Sequence, residues 1–93
     1  MLKHNTYFDG KVQSIGFSRV GRAQSVGVVS PGEHRFGTQA PERMTVVCGE
    51  FLVKRDGENA FHLYAAGTSF EVAGNSSFEI RVTEPAAYWC EYL

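Results

Sequence analysis

Short runs in which apolar and polar side chains alternate recur along the whole chain, and turn residues divide them. Phe78, Ile80 and Val82 alternate with Glu79, Arg81 and Thr83, the period of two that sends successive side chains to opposite faces of a strand. Met44, Val46 and Cys48 share one face of the run before Gly49, and Phe51 to Val53 continue it. In the last run, Tyr88, Cys90 and Tyr92 fall on one face and Trp89, Glu91 and Leu93 on the other. Breaks at Asp9-Gly10, Val20-Gly21, Ser30-Pro31-Gly32, Ala40-Pro41, Cys48-Gly49, Asp56-Gly57, Ala66-Gly67, Gly74-Asn75 and Glu84-Pro85 return every eight to twelve positions, the spacing of a sandwich or barrel. Asp56-Gly57 predicts a tight hairpin between residues 51–55 and 61–64, or a longer loop reaching Asn59. The pattern predicts about nine strands and no significant helix. Two facing antiparallel sheets bury that many half-apolar strands.

Composition narrows the classes. Ninety-three residues, 43% hydrophobic and 20% charged, suit one globular domain over residues 1–93. A core this small gains from pairing with a second copy. Net charge is −1 and no basic run appears, so a nucleic-acid polymer is not an expected partner. No stretch approaches the roughly 20 apolar residues of a membrane-spanning helix. Met1-Leu2-Lys3-His4-Asn5 lacks the apolar centre of a secretory leader, so the expected location is the cytoplasm. Cys48 and Cys90 sit in apolar runs and are expected to be buried, reduced thiols. His4, His34 and His62 are scattered and are expected to be exposed or on a rim. No serine-centred nucleophile elbow is present.

The stretch from Glu42 to Gly49 resembles the end of the first motif of the cupins, and Gly67 opens something similar to the second. In metal-binding cupins the first motif places histidines four and six residues before the glutamate, and the second places one eleven residues after its glycine. Those positions are Thr38, Phe36 and Phe78 here. Only Glu42 keeps a ligand-like side chain, and a divalent transition metal wants three or more donors. The resemblance therefore implies a cupin-like double-sheet jelly roll with an apolar mouth and no metal.

A closer resemblance covers nearly the whole chain. The segments Tyr7-Phe8-Asp9-Gly10-Lys11-Val12, Pro31-Gly32-Glu33, Phe36-Gly37-Thr38 and Pro41-Glu42-Arg43-Met44 fit one pattern. So do Gly67-x-x-Phe70-Glu71-Val72, Asn75-Ser76-Ser77-Phe78 and the ending Tyr88-x-Cys90-x-Tyr92-Leu93. Together they resemble the small cupin-type pyrimidine/purine nucleoside phosphorylases of bacteria. Ala73 stands where that family usually has proline, and His34 where it often has an aromatic residue. The resemblance implies a dimeric enzyme with no cofactor that splits nucleosides with inorganic phosphate, its co-substrate, into free base and ribose 1-phosphate.

That chemistry assigns roles. The glycosidic bond breaks through an oxocarbenium-like ribosyl group. Base faces stack on aromatic rings, which suits Phe36 and Phe78 and, at its edge, Tyr88; ordinary core packing is the competing explanation for each. Glu42 is the expected catalytic carboxylate, facing the ribose hydroxyls or the developing positive charge; an ion pair at the barrel mouth is its alternative. Thr38, at a former histidine position, suits a ribose or phosphate hydrogen bond. Glu33 and Ser77 are candidate substrate contacts, or else plain turn residues. Lys11 and Arg22 are the candidate phosphate cations, against surface solvation. Arg35 and Arg43 are expected to point outward by alternation with Phe36 and Glu42.

Two other classes stay open on the residues alone. One is a non-catalytic, metal-free cupin that binds a sugar or other small molecule. The other, a nucleotide-sugar isomerase, needs a His/Tyr acid–base couple in the barrel, and the inward positions read as Phe and Thr disfavour it.

Overall fold

A computed structural model describes residues 1–93. Ten strands form, and no helix: β1 (Lys3–Tyr7), β2 (Val12–Arg19), β3 (Arg22–Val29), β4 (Gly32–Gly37), β5 (Glu42–Cys48), β6 (Glu50–Arg55), β7 (His62–Ala65), β8 (Ser69–Val72), β9 (Ser77–Val82) and β10 (Ala86–Tyr92). Two sheets face each other, in the orders β1-β2-β3-β10-β5-β8 and β4-β9-β6-β7, and every ladder is antiparallel. This is the cupin-like double-sheet jelly roll expected from the alternation and the cupin-like motifs.

The alternating residues do what their period dictates. Phe78, Ile80 and Val82 of β9 face Met44 and Val46 of β5 and Tyr88 and Cys90 of β10 in one apolar cluster, with Phe51, Val53, Phe70 and Val72 closing it. The outward set of β9, Glu79 and Arg81, pairs instead with Lys54 and Glu33 at the surface.

Gly49 is where the chain changes sheets. Its φ is +77° and an added Cβ would lie 3.0 Å from the Ala86 Cβ, so the run expected to continue from Met44 to Val53 is cut into two strands of different sheets. A second irregularity precedes it. Ala87 pairs with Cys48 but Tyr88 pairs with Val46, leaving Val47 as an extra residue. Such a bulge reverses the facing of the residues beyond it. Cys48, expected to be buried beside Met44 and Val46, is therefore exposed, while Cys90 is buried. The longer of the two hairpin readings holds at Asp56-Gly57: the β6–β7 ladder ends at the Val53–His62 pair. Glu58 ties that loop back, accepting from the Arg55 backbone N–H at 2.7 Å.

His34, expected at the surface or a rim, is buried at 5% exposure. It shares the inward face of β4 with Phe36, and its Nε2 lies 3.0 Å from the Ser30 carbonyl oxygen. His4 and His62 are exposed.

Candidate active site

Phe36 and Phe78 do not fill the barrel. A cavity of about 560 Å³ opens between the sheets at the end where β4, β5 and β10 converge, within the range of small-molecule sites. Tyr7, Phe8, Phe36 and Phe78 form an aromatic wall along one side. The Phe36 and Phe78 rings stack with centroids 5.4 Å apart at 20°, and Phe8 meets Phe36 edge-on at 5.6 Å. Phe8 reaches this place through a turn in which it and Asp9 take φ of 52° and 55°, left-handed values uncommon for residues other than glycine and costly for a bulky side chain. Strain at the cavity wall is characteristic of ligand sites.

The other side is polar and comes from the large sheet. Inward positions of β2, β3, β5 and β10 bring Ser14, Ser25, Glu42, Tyr88, Cys90 and Tyr92 to it. The Cys90 thiol donates to the Glu42 Oε1 at 3.4 Å, and the Ser25 and Tyr92 hydroxyls lie 3.2 Å apart. Burial lifts the Glu42 carboxyl above its ordinary 4.5, against the opposing pull of the Cys90 hydrogen bond. Burial also raises Cys90, with the neighbouring Glu42 charge adding to it. Tyr88 and Tyr92 are raised for the same first reason, loss of water. Around neutral pH the thiol and both phenols therefore keep their protons. They can donate hydrogen bonds, and a thiol so held is no nucleophile. Glu42 is the one carboxylate lining the cavity.

Of the residues singled out from the sequence, Glu42, Phe36, Phe78 and Tyr88 come together here. Thr38 sits next to the cavity with its hydroxyl already committed, donating to the Ala73 carbonyl at 2.7 Å and accepting from the Ser76 N–H at 3.0 Å. It staples the β8–β9 turn to the β4–β5 connection, and Ala73, a departure from the family pattern, contributes its carbonyl to that staple. Ser77 accepts from the Arg35 Nη2 at 3.2 Å and lines an adjoining polar cleft. Glu33 lies on the surface in a two-pronged contact with Arg81, at 2.9 and 3.1 Å. Lys11 lines a separate hollow with His4, Gln13 and Val28, and Arg22 stands opposite Arg19 where the β2–β3 ladder ends. Arg43 points away, as expected, to Glu71 and Glu91. Arg35 is exposed, as its alternation with Phe36 predicts, and it also stands among the residues that line the cavity.

Tyr7, Phe8, Ser25, Cys90 and Tyr92 were not singled out for the site. The alternation of β10 already put Cys90 and Tyr92 on the face of Tyr88. Tyr7 and Phe8 carried no such signal, because only the left-handed turn folds them over the barrel.

Known proteins point in the same direction. A family model described as pyrimidine/purine nucleoside phosphorylase matches residues 2–92. The pyrimidine/purine nucleoside phosphorylase of Sorangium cellulosum (strain So ce56) is 60% identical over 93 residues, which cover 100% of both chains. A solved structure from Vibrio parahaemolyticus, described as a protein of unknown function, superposes with a TM-score of 0.98 at 57% identity, covering 100% of this chain and 99% of the other. Hydroxypropylphosphonic acid epoxidase of S. wedmorenis, at 18% identity and a TM-score of 0.72, covers 88% of this chain with 51% of its own and shares the fold alone.

Proposed function

The chain belongs to the pyrimidine/purine nucleoside phosphorylase family, and we propose that it cleaves both purine and pyrimidine nucleosides with inorganic phosphate, without a metal and in the cytoplasm. A phosphate oxygen bonds to C1′ of the ribose as the bond from C1′ to the base nitrogen breaks. The electron pair leaves with that nitrogen, which takes a proton, and the products are free base and ribose 1-phosphate.

One observation carries this reading: an open cavity with an aromatic wall on one side and a single half-buried carboxylate among hydroxyl and thiol donors on the other. The wall offers flat apolar faces to either class of base, since stacking asks little about base identity. Glu42 accepts from the ribose hydroxyls, and its charge favours the ribosyl group as that becomes cationic. Ser25 and Tyr92 supply hydroxyls beside it.

Metal independence is supported by the donor set. No three His, Cys, Asp or Glu side chains converge anywhere in the fold, and next to Glu42 stands a thiol held protonated, where a metal would require a thiolate. Chelator-treated protein should release base from inosine and from uridine only when phosphate is present, at the rate of untreated protein. Release without phosphate, or activity that disappears on chelation and returns with a metal, would overturn this part of the reading.

The working unit is read as a homodimer. Ile15, Val26, Val28 and Val47 are exposed on the outer face of the large sheet, and Ile15 pairs directly with Val26, so the patch is continuous enough to pair copies. Light scattering should give twice the 10.3 kDa of one chain, and Val26→Glu should halve it. A parent protein that runs as one chain would dismiss the dimer.

A further inference from the structure

The phosphorylase reading leaves the second substrate without a seat. Phosphate is a dianion for much of the physiological range, and it must approach C1′ from the side away from the base. It cannot sit beside Glu42, whose carboxylate would repel it. The cavity lining holds one cationic side chain, Arg35 of β4, and we propose that Arg35 binds the attacking phosphate at the cavity mouth.

Arg35 differs from its neighbours in forming no ion pair of its own. Arg43 pairs with Glu71 and Glu91, Arg81 with Glu33, and Arg55 with Glu58. Glu79 lies directly across the β4–β9 ladder from Arg35, yet its carboxylate is in contact with Lys54 at 3.8 Å. The one hydrogen bond from the Arg35 side chain goes to the neutral Ser77 hydroxyl, at 3.2 Å. A guanidinium carries five donors in a planar fork that matches two oxygens of a phosphate. Arg35 therefore keeps both its charge and most of its donors for an anion.

Its position suits the reaction as well. Arg35 lines the nucleoside-sized cavity and also an adjoining polar cleft of about 300 Å³, where Lys54 and Arg55 are paired with Glu79 and Glu58 and where Asp56 and Ser77 also stand. An anion on the fork would sit where the two spaces meet, with the Ser77 hydroxyl beside it. Phe78, next in sequence to Ser77, is among the residues lining both spaces, which places them side by side at the start of β9. Arg22 and Arg19 also lack carboxylate partners, but neither lines this cavity.

The proposal rests on the phosphorylase reading for its role and can be tested apart from it. In steady-state kinetics, Arg35→Gln should raise the phosphate KM by about 10–100-fold, as loss of one or two charge-assisted bonds implies. The nucleoside KM and the melting temperature should stay near parental values, and Arg35→Lys should recover part of the loss. In calorimetry with inorganic phosphate alone, the parent should bind and Arg35→Gln should not. Arg35-dependent phosphate binding without turnover would keep the anion site and remove the phosphorylase reading. An unchanged phosphate KM, equal phosphate binding by the parent and Arg35→Gln, or no phosphate binding by the parent would overturn the proposal.

Discussion

Replacing Glu42 with glutamine is expected to lower kcat/KM on the order of 10²–10³-fold, the loss typical of removing one group that stabilises transition-state charge, while making the protein more stable at neutral pH. The two effects share one cause. Burial raises the Glu42 carboxyl above its ordinary 4.5, so the fold favours the protonated form. A raised folded-state value means the stabilising contribution is full below the unfolded value and is lost as pH rises through the folded one. At neutral pH the ionised carboxylate therefore works against the fold. Glutamine, neutral and of the same shape, removes that penalty and still offers an oxygen to the Cys90 thiol. The gain in melting temperature should vanish in acid, where Glu42 is itself neutral. The parental activity should fall on the acid side at a pH above the ordinary carboxylate range, and the residual activity of Glu42→Gln should lack that limb. A variant less stable than the parent at neutral pH would refute a burial penalty on the charge, and one with parental turnover would take Glu42 out of the mechanism.

Gly27→Ala should cost about 1–3 kcal/mol, the usual range for overpacking a well-filled core. At about 4–8 °C per kcal/mol for a domain of this size, the melting temperature should drop by several degrees or more. Gly27 pairs with Tyr88 across the β3–β10 ladder, and the tyrosine ring lies over it. A Cβ at position 27 would come within 2.5 Å of the Tyr88 Cζ and its hydroxyl oxygen. Tyr88 is 6% exposed, so the ring has no free direction except the cavity, and activity should fall with stability. Tyr88→Leu shortens the side chain that clashes. In a double-mutant cycle the pair Gly27→Ala/Tyr88→Leu should lose clearly less than the two single changes summed. Strict additivity, or an unchanged melting curve for Gly27→Ala, would show that the ring is not seated on Gly27.

Much of this was legible along the chain because a strand period of two is a local property. Phe78, Ile80 and Val82, and Tyr88, Cys90 and Tyr92, announce which face is buried whatever they pack against. Gly27 inside the apolar run Val26 to Val29 carries the signal of a close approach, though not of what approaches. Where alternation failed, one extra residue was responsible. The Val47 bulge moved Cys48 to the surface, and no pattern within the strand marks it, because a bulge exists only in the register between β5 and β10.

The candidate site divides in the same way. Glu42, Phe36, Phe78 and Tyr88 could be placed on inward faces from sequence because each lies in a regular strand. Thr38 could be placed inward too, but its partners, Ala73 and Ser76, lie 35 and 38 residues away in the chain, and they decide that its hydroxyl holds a turn. The charges were the least legible. Whether Arg35, Lys11 or Arg22 stands free near the cavity depends on which carboxylates the two sheets bring within reach, and Glu79 meeting Lys54 while it faces Arg35 is a result of packing.

The sequence by itself determined the all-β architecture, the inward set of side chains, the lack of histidine at the cupin ligand positions and the family. These come from period, side-chain type and motif, each readable within a few residues. Tertiary structure alone decided that the barrel stays open, that a left-handed turn brings Phe8 over it, that Cys90 donates to Glu42, and that one arginine is left unpaired at its mouth. Each of those depends on distances between residues far apart in the chain, set only when the two sheets close on each other.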